Sequence, residues 1–133
     1  MDNETKARFS GIERLYGQGT LDRLAGAHVG VVGIGGVGSW AVEALARSGI
    51  GHLTLIDADD ICVSNTNRQL PALDGAYGRN KVDAMADRCR AINPLIEVEA
   101  MPMFLTAGNL ESLLDRGFDL VLDACDSFRT KVE

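Results

Sequence analysis

From Ala27 onward, short apolar runs alternate with amphipathic stretches. Ala27-His28-Val29-Gly30-Val31-Val32 is a nearly continuous apolar run, the pattern of a parallel strand buried on both faces. Glycines follow at once, and then Trp40, Ala41, Ala44, Leu45 and Ser48 recur at helical spacing, with Gly49 as the C-terminal stop. His52-Leu53-Thr54-Leu55-Ile56-Asp57 reads as a second strand. A polar connection from Ala58 to Gly78 comes next, long for a compact domain and therefore marked as functional. Asn80 is placed to cap a helix whose apolar stripe is Val82, Met85, Ala86, Cys89 and Ile92, ended by Asn93-Pro94. A third strand is expected near Ile96 to Met101, a short helix around Asn109 to Asp115, and a fourth buried strand at Asp119 to Asp123.

Strand and helix alternate, so the expected fold class is α/β: a Rossmann-like, mostly parallel sheet with helices on both faces. Residues 1–26 are expected to form a polar helical lead-in, anchored by Leu15, Leu21 and Leu24 and interrupted by Gly11, Gly17 and Gly19. Residues 27–133 carry the strand and helix pattern. The sequence stops at Thr130-Lys131-Val132-Glu133, where a further helix is due, so the sheet is expected to be an incomplete N-terminal part of a larger domain.

Composition narrows the classes. The chain has 133 residues, 46% of them hydrophobic, no apolar run long enough for a membrane span, and an acidic start unlike a signal peptide. Thirteen bases against nineteen acids give a net charge of -6, which argues against a surface that grips nucleic acid all over but leaves room for a local phosphate site. Cys62, Cys89 and Cys125 lack metal-ligand spacing and read as reduced, buried thiols of a cytoplasmic protein. The fifteen glycines cluster, and the cluster has a job.

Gly33-Ile34-Gly35-Gly36-Val37-Gly38 satisfies G-x-G-x-x-G between a strand and a helix. Gly33 permits the tight turn, Gly35 lets backbone approach a phosphate, and Gly38 allows close helix–strand packing. The helix start then offers unpaired N–H groups to an anion. Asp57, at the end of the second strand, is placed to accept ribose hydroxyls. This fingerprint serves a nicotinamide dehydrogenase as well as an ATP user. Two cations bear on that choice. Arg68 leaves the same sheet edge, and Lys81 opens the next helix, where only an anionic ligand makes a cation favourable. Asp123 and Asp126 follow the fourth strand; Asp126 suits either a magnesium ion or the cap of a helix starting at Ser127. A dehydrogenase needs no such cationic set, whereas a triphosphate with a leaving pyrophosphate does.

These residues, together with Leu55-Ile56-Asp57-Ala58-Asp59, Asn65-Thr66-Asn67-Arg68-Gln69 and Asp123-Ala124-Cys125-Asp126, resemble the ubiquitin-activating-enzyme-like adenylating superfamily from about Arg8 to Lys131. The resemblance is strongest, through Arg8-Phe9-Ser10-Gly11, Arg14-Leu15-Tyr16-Gly17 and Gly36-Val37-Gly38-Ser39-Trp40, to its tRNA-dehydratase branch. It implies ATP-dependent adenylation of a carboxylate within residues 27–133. On that resemblance, Gly33, Gly35, Gly36, Gly38, Asp57, Asp59, Asn65, Asn67 and Gln69 contribute to the nucleotide site. Arg68 and Lys81 contact the phosphates, and Asp126 helps to place Mg2+. The implied carboxylate is the threonylcarbamoyl group of a tRNA adenosine, which then closes into a ring with net loss of water. The alternative is the C-terminal glycine of a small sulfur-carrier protein. Cysteine desulfurase-type sulfur-relay partners and a homodimer, in which Arg8 or Arg14 reaches the partner's nucleotide, are further implications. A NAD-dependent oxidoreductase and a non-catalytic nucleotide-binding module remain as competing classes. Nucleotide binding is expected of these 133 residues and complete catalysis is not.

Overall fold

The computed structural model describes residues 2–125. Helix α1 (Asn3–Tyr16) starts where the Asp2 carboxylate accepts the Thr5 N–H at 2.7 Å, and ends at Gly17, whose φ is +105°. Helix α2 (Thr20–Ala25) leads into strand β1 (His28–Val32). Helix α3 (Gly38–Arg47), strand β2 (His52–Ile56), helix α4 (Lys81–Ile92), strand β3 (Glu97–Met101), helix α5 (Ala107–Leu114) and strand β4 (Leu120–Asp123) complete the alternation. One 3-10 turn, Val63–Asn65, interrupts the connection between β2 and α4.

All strand pairs are parallel, in the order β3-β2-β1-β4. The chain steps one way from β1 through β2 to β3, then returns to pair β4 on the other side of β1. Such a reversal opens a crevice at the carboxyl ends of the strands. The register makes those ends level: Val32 lies beside Ile56 and Asp123, and Ile56 beside Met101. Whatever follows each strand therefore shares one edge.

Alternation along the strands divides the interior. Val29, Val31, Leu53 and Leu55 meet Val42 and Ala46 of α3 and Val82, Met85, Ala86 and Cys89 of α4 in the main core. Val32 and Ile56 point the other way, toward Leu113 of α5. The α4 stripe is as the sequence pattern predicts. Among the described residues no helix is long and apolar enough to cross a membrane.

Four expectations are corrected. Helix α1 runs unbroken through Gly11, and its anchors are Thr5 and Phe9, not Leu15, which is 71% exposed. A mid-helix glycine costs only about 1 kcal/mol, less than burying a phenylalanine gains. In α3 the buried face is Ser39, Val42, Glu43 and Ala46, while Trp40 and Ala44 face outward. Strand β4 is largely exposed, because it lies at the sheet edge with a single strand neighbour among the described residues. Only Cys89 is a buried thiol; Cys62 is exposed on a turn and Cys125 half-buried.

Candidate functional site

At the level carboxyl edge lies a cavity of about 400 Å3. The glycine loop lines it through Gly33, Gly35 and Gly36. Gly33, with φ +91°, makes a turn that other residues rarely adopt, and a Cβ there would press on the Ala124–Cys125 backbone at 2.8–2.9 Å. A Cβ on Gly38 would collide with the Gly33 carbonyl, so this glycine lets α3 start directly against β1. Gly35 is different: its nearest neighbour across the missing side chain is Gln69 Nε2 at 3.8 Å, leaving its backbone accessible from the cavity.

Asp57 does structural work as well as lining the cavity. Its Oδ2 accepts the Ile34 N–H at 2.6 Å, and its Oδ1 accepts the Asp59 N–H at 2.7 Å. Each carboxylate oxygen has a second lone-pair direction, so the group still has acceptor capacity for two hydroxyls.

A second set of bonds ties the long connection to α3. The buried Ser39 hydroxyl donates to the Gly35 carbonyl at 2.6 Å and accepts the Leu70 N–H at 3.2 Å. The Trp40 indole N–H donates to the Arg68 carbonyl at 3.1 Å. Arg68 is thereby fixed at the cavity rim, its side chain crossing Gly36 and its guanidinium donating to the Ser64 carbonyl and Asn67 Oδ1. Lys81, only 6% exposed, reaches the same cavity from the first turn of α4 and pairs with no carboxylate among the described residues. Gln69 also faces the cavity, and its buried Oε1 has no partner among the described residues.

The structure thus brings Gly33, Gly35, Gly36, Asp57, Asp59, Arg68, Gln69 and Lys81 to one cavity wall, with Gly38 directly behind. Asn65 and Asn67 stand apart from that wall. Asn65 is buried with its Oδ1 on the Cys62 N–H, shaping the 3-10 turn, and Asn67 steadies Arg68. Asp126 lies outside the described residues. Sequence reasoning missed Met103, Phe104 and Leu105, an apolar wall that follows β3 onto the same edge. The available signal was topological: residues just past a parallel strand face the ligand crevice.

Chemically, the lining of this cavity combines glycine-loop backbone, two cations, the Asp57 and Asp59 carboxylates and an apolar surface. Fold and edge together define a Rossmann-like α/β domain. The chain matches the ThiF family over residues 9–133 and belongs to it. It is 56% identical over 124 residues to a tRNA threonylcarbamoyladenosine dehydratase of Haemophilus influenzae, covering 93% of this chain and 48% of that protein. A sulfur carrier protein adenylyltransferase of Thermus thermophilus is 39% identical, over 83% of this chain and 40% of that one. Among solved structures, the Escherichia coli tRNA N6-threonylcarbamoyladenosine dehydratase in complex with ATP superposes with a TM-score of 0.96 at 51% identity, covering 98% of this chain and 54% of that chain. This chain spans about half the length of the curated relatives it matches.

Proposed function

We propose that residues 27–133, with residues 1–26 as a helical lead-in, are the ATP-binding part of an enzyme that adenylates a carboxylate, namely the threonylcarbamoyl group of a tRNA adenosine. The observation that carries this reading is the convergence of the glycine loop, Asp57, Arg68 and Lys81 on one cavity. The relatives named as dehydratases, and the one crystallised with ATP, support it.

In this reading Asp57 takes the ribose hydroxyls, and the apolar wall at Met103, Phe104 and Leu105 takes the purine. The Gly35–Gly36 backbone and the start of α3 take phosphate oxygens. A carboxylate oxygen of the substrate attacks the α-phosphorus; the bond from that phosphorus to the bridging oxygen breaks, and pyrophosphate leaves. Arg68 and Lys81 stabilise the charge that accumulates on the departing group. The acyl adenylate then closes into a ring as AMP departs, for a net loss of water.

Magnesium fits the hard oxygen chemistry of this edge, where Asp59 presents an exposed carboxylate and Asp126 follows β4 in sequence. When bound, it would neutralise pyrophosphate charge. The same reading carries a homodimer and a cytoplasmic setting, and leaves sulfur-relay partners to the carrier-protein alternative.

The test is ATP–pyrophosphate exchange by the full-length enzyme of which these residues are proposed to be the ATP-binding part. Exchange that depends on tRNA bearing threonylcarbamoyladenosine is expected. Exchange driven instead by a sulfur-carrier protein ending in glycine would replace tRNA as substrate, and NADH binding without ATP binding would overturn adenylation itself.

A further inference from the structure

Away from the nucleotide cavity, α1, α3 and α4 enclose a second cleft of about 450 Å3, walled by Arg8, Arg47 and Arg88 with Phe9, Ala91 and Ile92. Three guanidiniums converging in a chain of net charge -6 are a local reversal of its overall field. Glu43 organises two of them. Arg88 donates Nε to Oε1 at 2.5 Å and Nη2 to Oε2 at 2.9 Å, and Arg47 donates Nε to Oε2 at 2.8 Å. The Glu43 side chain is 11% exposed, whereas those of Arg47 and Arg88 are 60% and 35% exposed. The acid is therefore hidden and the cations are turned outward. Among the described residues Arg8 pairs only with Glu4, itself 78% exposed, and such a surface pair exchanges readily with other anions. Among the described residues, both Nη atoms of Arg47, Nη1 of Arg88 and Nη1 of Arg8 donate no hydrogen bond.

We propose that this cleft is a contact surface for the phosphate backbone of RNA. The inference rests on the tRNA reading above and deepens it. Guanidinium forks held at fixed angles match phosphate oxygens, and contacts of this kind orient a polynucleotide without reading its sequence. These 133 residues are acidic in sum, so within them a phosphate backbone is met at a local cationic point such as this one. The position suits the task. Helices α3 and α4 begin at the nucleotide cavity with Gly38 and Lys81 and end at the cleft. Their rise carries Arg47 roughly 14 Å and Arg88 roughly 10 Å from those starts. Both lengths are shorter than one turn of a double-stranded RNA helix. One RNA stem can therefore rest on the cleft while a base beside it meets the nucleotide.

The test uses the full chain with Arg47→Glu, Arg47→Gln and Arg47→Lys; Arg88 is left in place to hold Glu43. Binding of an unmodified tRNA transcript is measured by filter retention from 50 to 300 mM salt, with ATP binding and circular dichroism alongside. Arg47→Glu is expected to weaken tRNA binding about tenfold, and Arg47→Gln to lower the salt slope by about 0.7–0.9, one phosphate contact. Arg47→Lys is expected to restore most of both, and ATP affinity to stay unchanged. Folded Gln and Glu variants that keep the wild-type affinity and slope would overturn the cleft as an RNA surface. So would a cleft that answers to inorganic phosphate or to an acidic carrier protein while tRNA binding ignores Arg47. A wild-type protein that binds ATP but no tRNA would instead sink the tRNA reading, and this proposal with it.

Discussion

The Ile34 N–H donates to Asp57 Oδ2 at 2.6 Å, so the acid that ends β2 clasps the glycine loop that ends β1. The residue proposed to hold the ribose is also the residue that shapes the glycine loop. Asp57→Ala is expected to cost about 2 kcal/mol of stability, because two backbone N–H groups lose a charged acceptor. It is also expected to lower ATP affinity. Calorimetric titration with ATP and 2′-deoxy-ATP separates the two roles. The wild type is expected to prefer ATP about tenfold, one hydroxyl-to-carboxylate bond, and the variant to lose that preference. Equal wild-type affinity for both nucleotides would leave Asp57 as a clasp alone.

The glycines divide into those the fold needs and those proposed to face a ligand. Gly38→Ala drives a methyl into the Gly33 carbonyl and is expected to cost about 3 kcal/mol in chemical denaturation. Gly35→Ala meets nothing closer than 3.8 Å and should cost under about 1 kcal/mol while weakening ATP binding. If Gly35→Ala bound ATP like the wild type, the phosphates would lie elsewhere in the cavity.

How much of this was legible follows from where each constraint resides. The glycine loop, Asp57 and Lys81 could be read directly, since a tight turn, a strand end and a helix start are local requirements. The apolar wall at Met103, Phe104 and Leu105 could not. It faces the cavity only because β3 pairs with β2 in a register that levels Met101 with Ile56, a long-range fact. Helix α3 shows the same limit. Its sequence has small or apolar residues on more than one face, and it is packing against α4 that selects Val42 and Ala46 over Trp40 and Ala44. Gly11 misled in the opposite sense, because a local helix penalty was outweighed by burial of Phe9.

Glu43 joins α3 to α4 through Arg88 and Arg47, and the hydrogen bonds from Arg88, more than any other cause, hold its carboxyl below the ordinary glutamate range. A depressed carboxylate stabilises the fold fully above its unfolded value, and loses that contribution as pH falls through the folded one. Acid titration of stability is therefore expected to show a drop below about pH 4.5 that Glu43→Gln removes. At neutral pH the same variant should lose about 2 kcal/mol, since the guanidiniums left behind still reach water.

A second pH effect has the opposite origin. His28 stacks on His52 with ring centroids 3.6 Å apart and shares a 2.8 Å hydrogen bond with Thr54, under the ring of Phe118. Burial first, and then His52, pull its pKa below the ordinary histidine value; Glu99 and Asp119 act against this, and Arg116 with it. The folded state therefore takes up a proton less readily than the unfolded chain. Stability is complete above the unfolded value and declines as pH falls through it toward the folded one. Thermal denaturation from pH 8 to 5 is expected to show this decline in the wild type and to lose it in His28→Phe. A wild-type profile flat across that range would refute the assignment.

The three thiols are chemically separated by the fold. Cys89 has no exposed surface, and burial pushes its pKa up to about 12, so almost no thiolate forms at neutral pH. Cys62 is exposed just before Val63, and Cys125 lines the cavity proposed for the nucleotide. Iodoacetamide at pH 8 is therefore expected to label Cys62 fastest and Cys89 only after denaturation. ATP is expected to slow labelling of Cys125 without affecting Cys62, which peptide mass spectrometry reads site by site. Labelling of Cys125 that ignored ATP would place the nucleotide away from the β1–β4 side of the cavity.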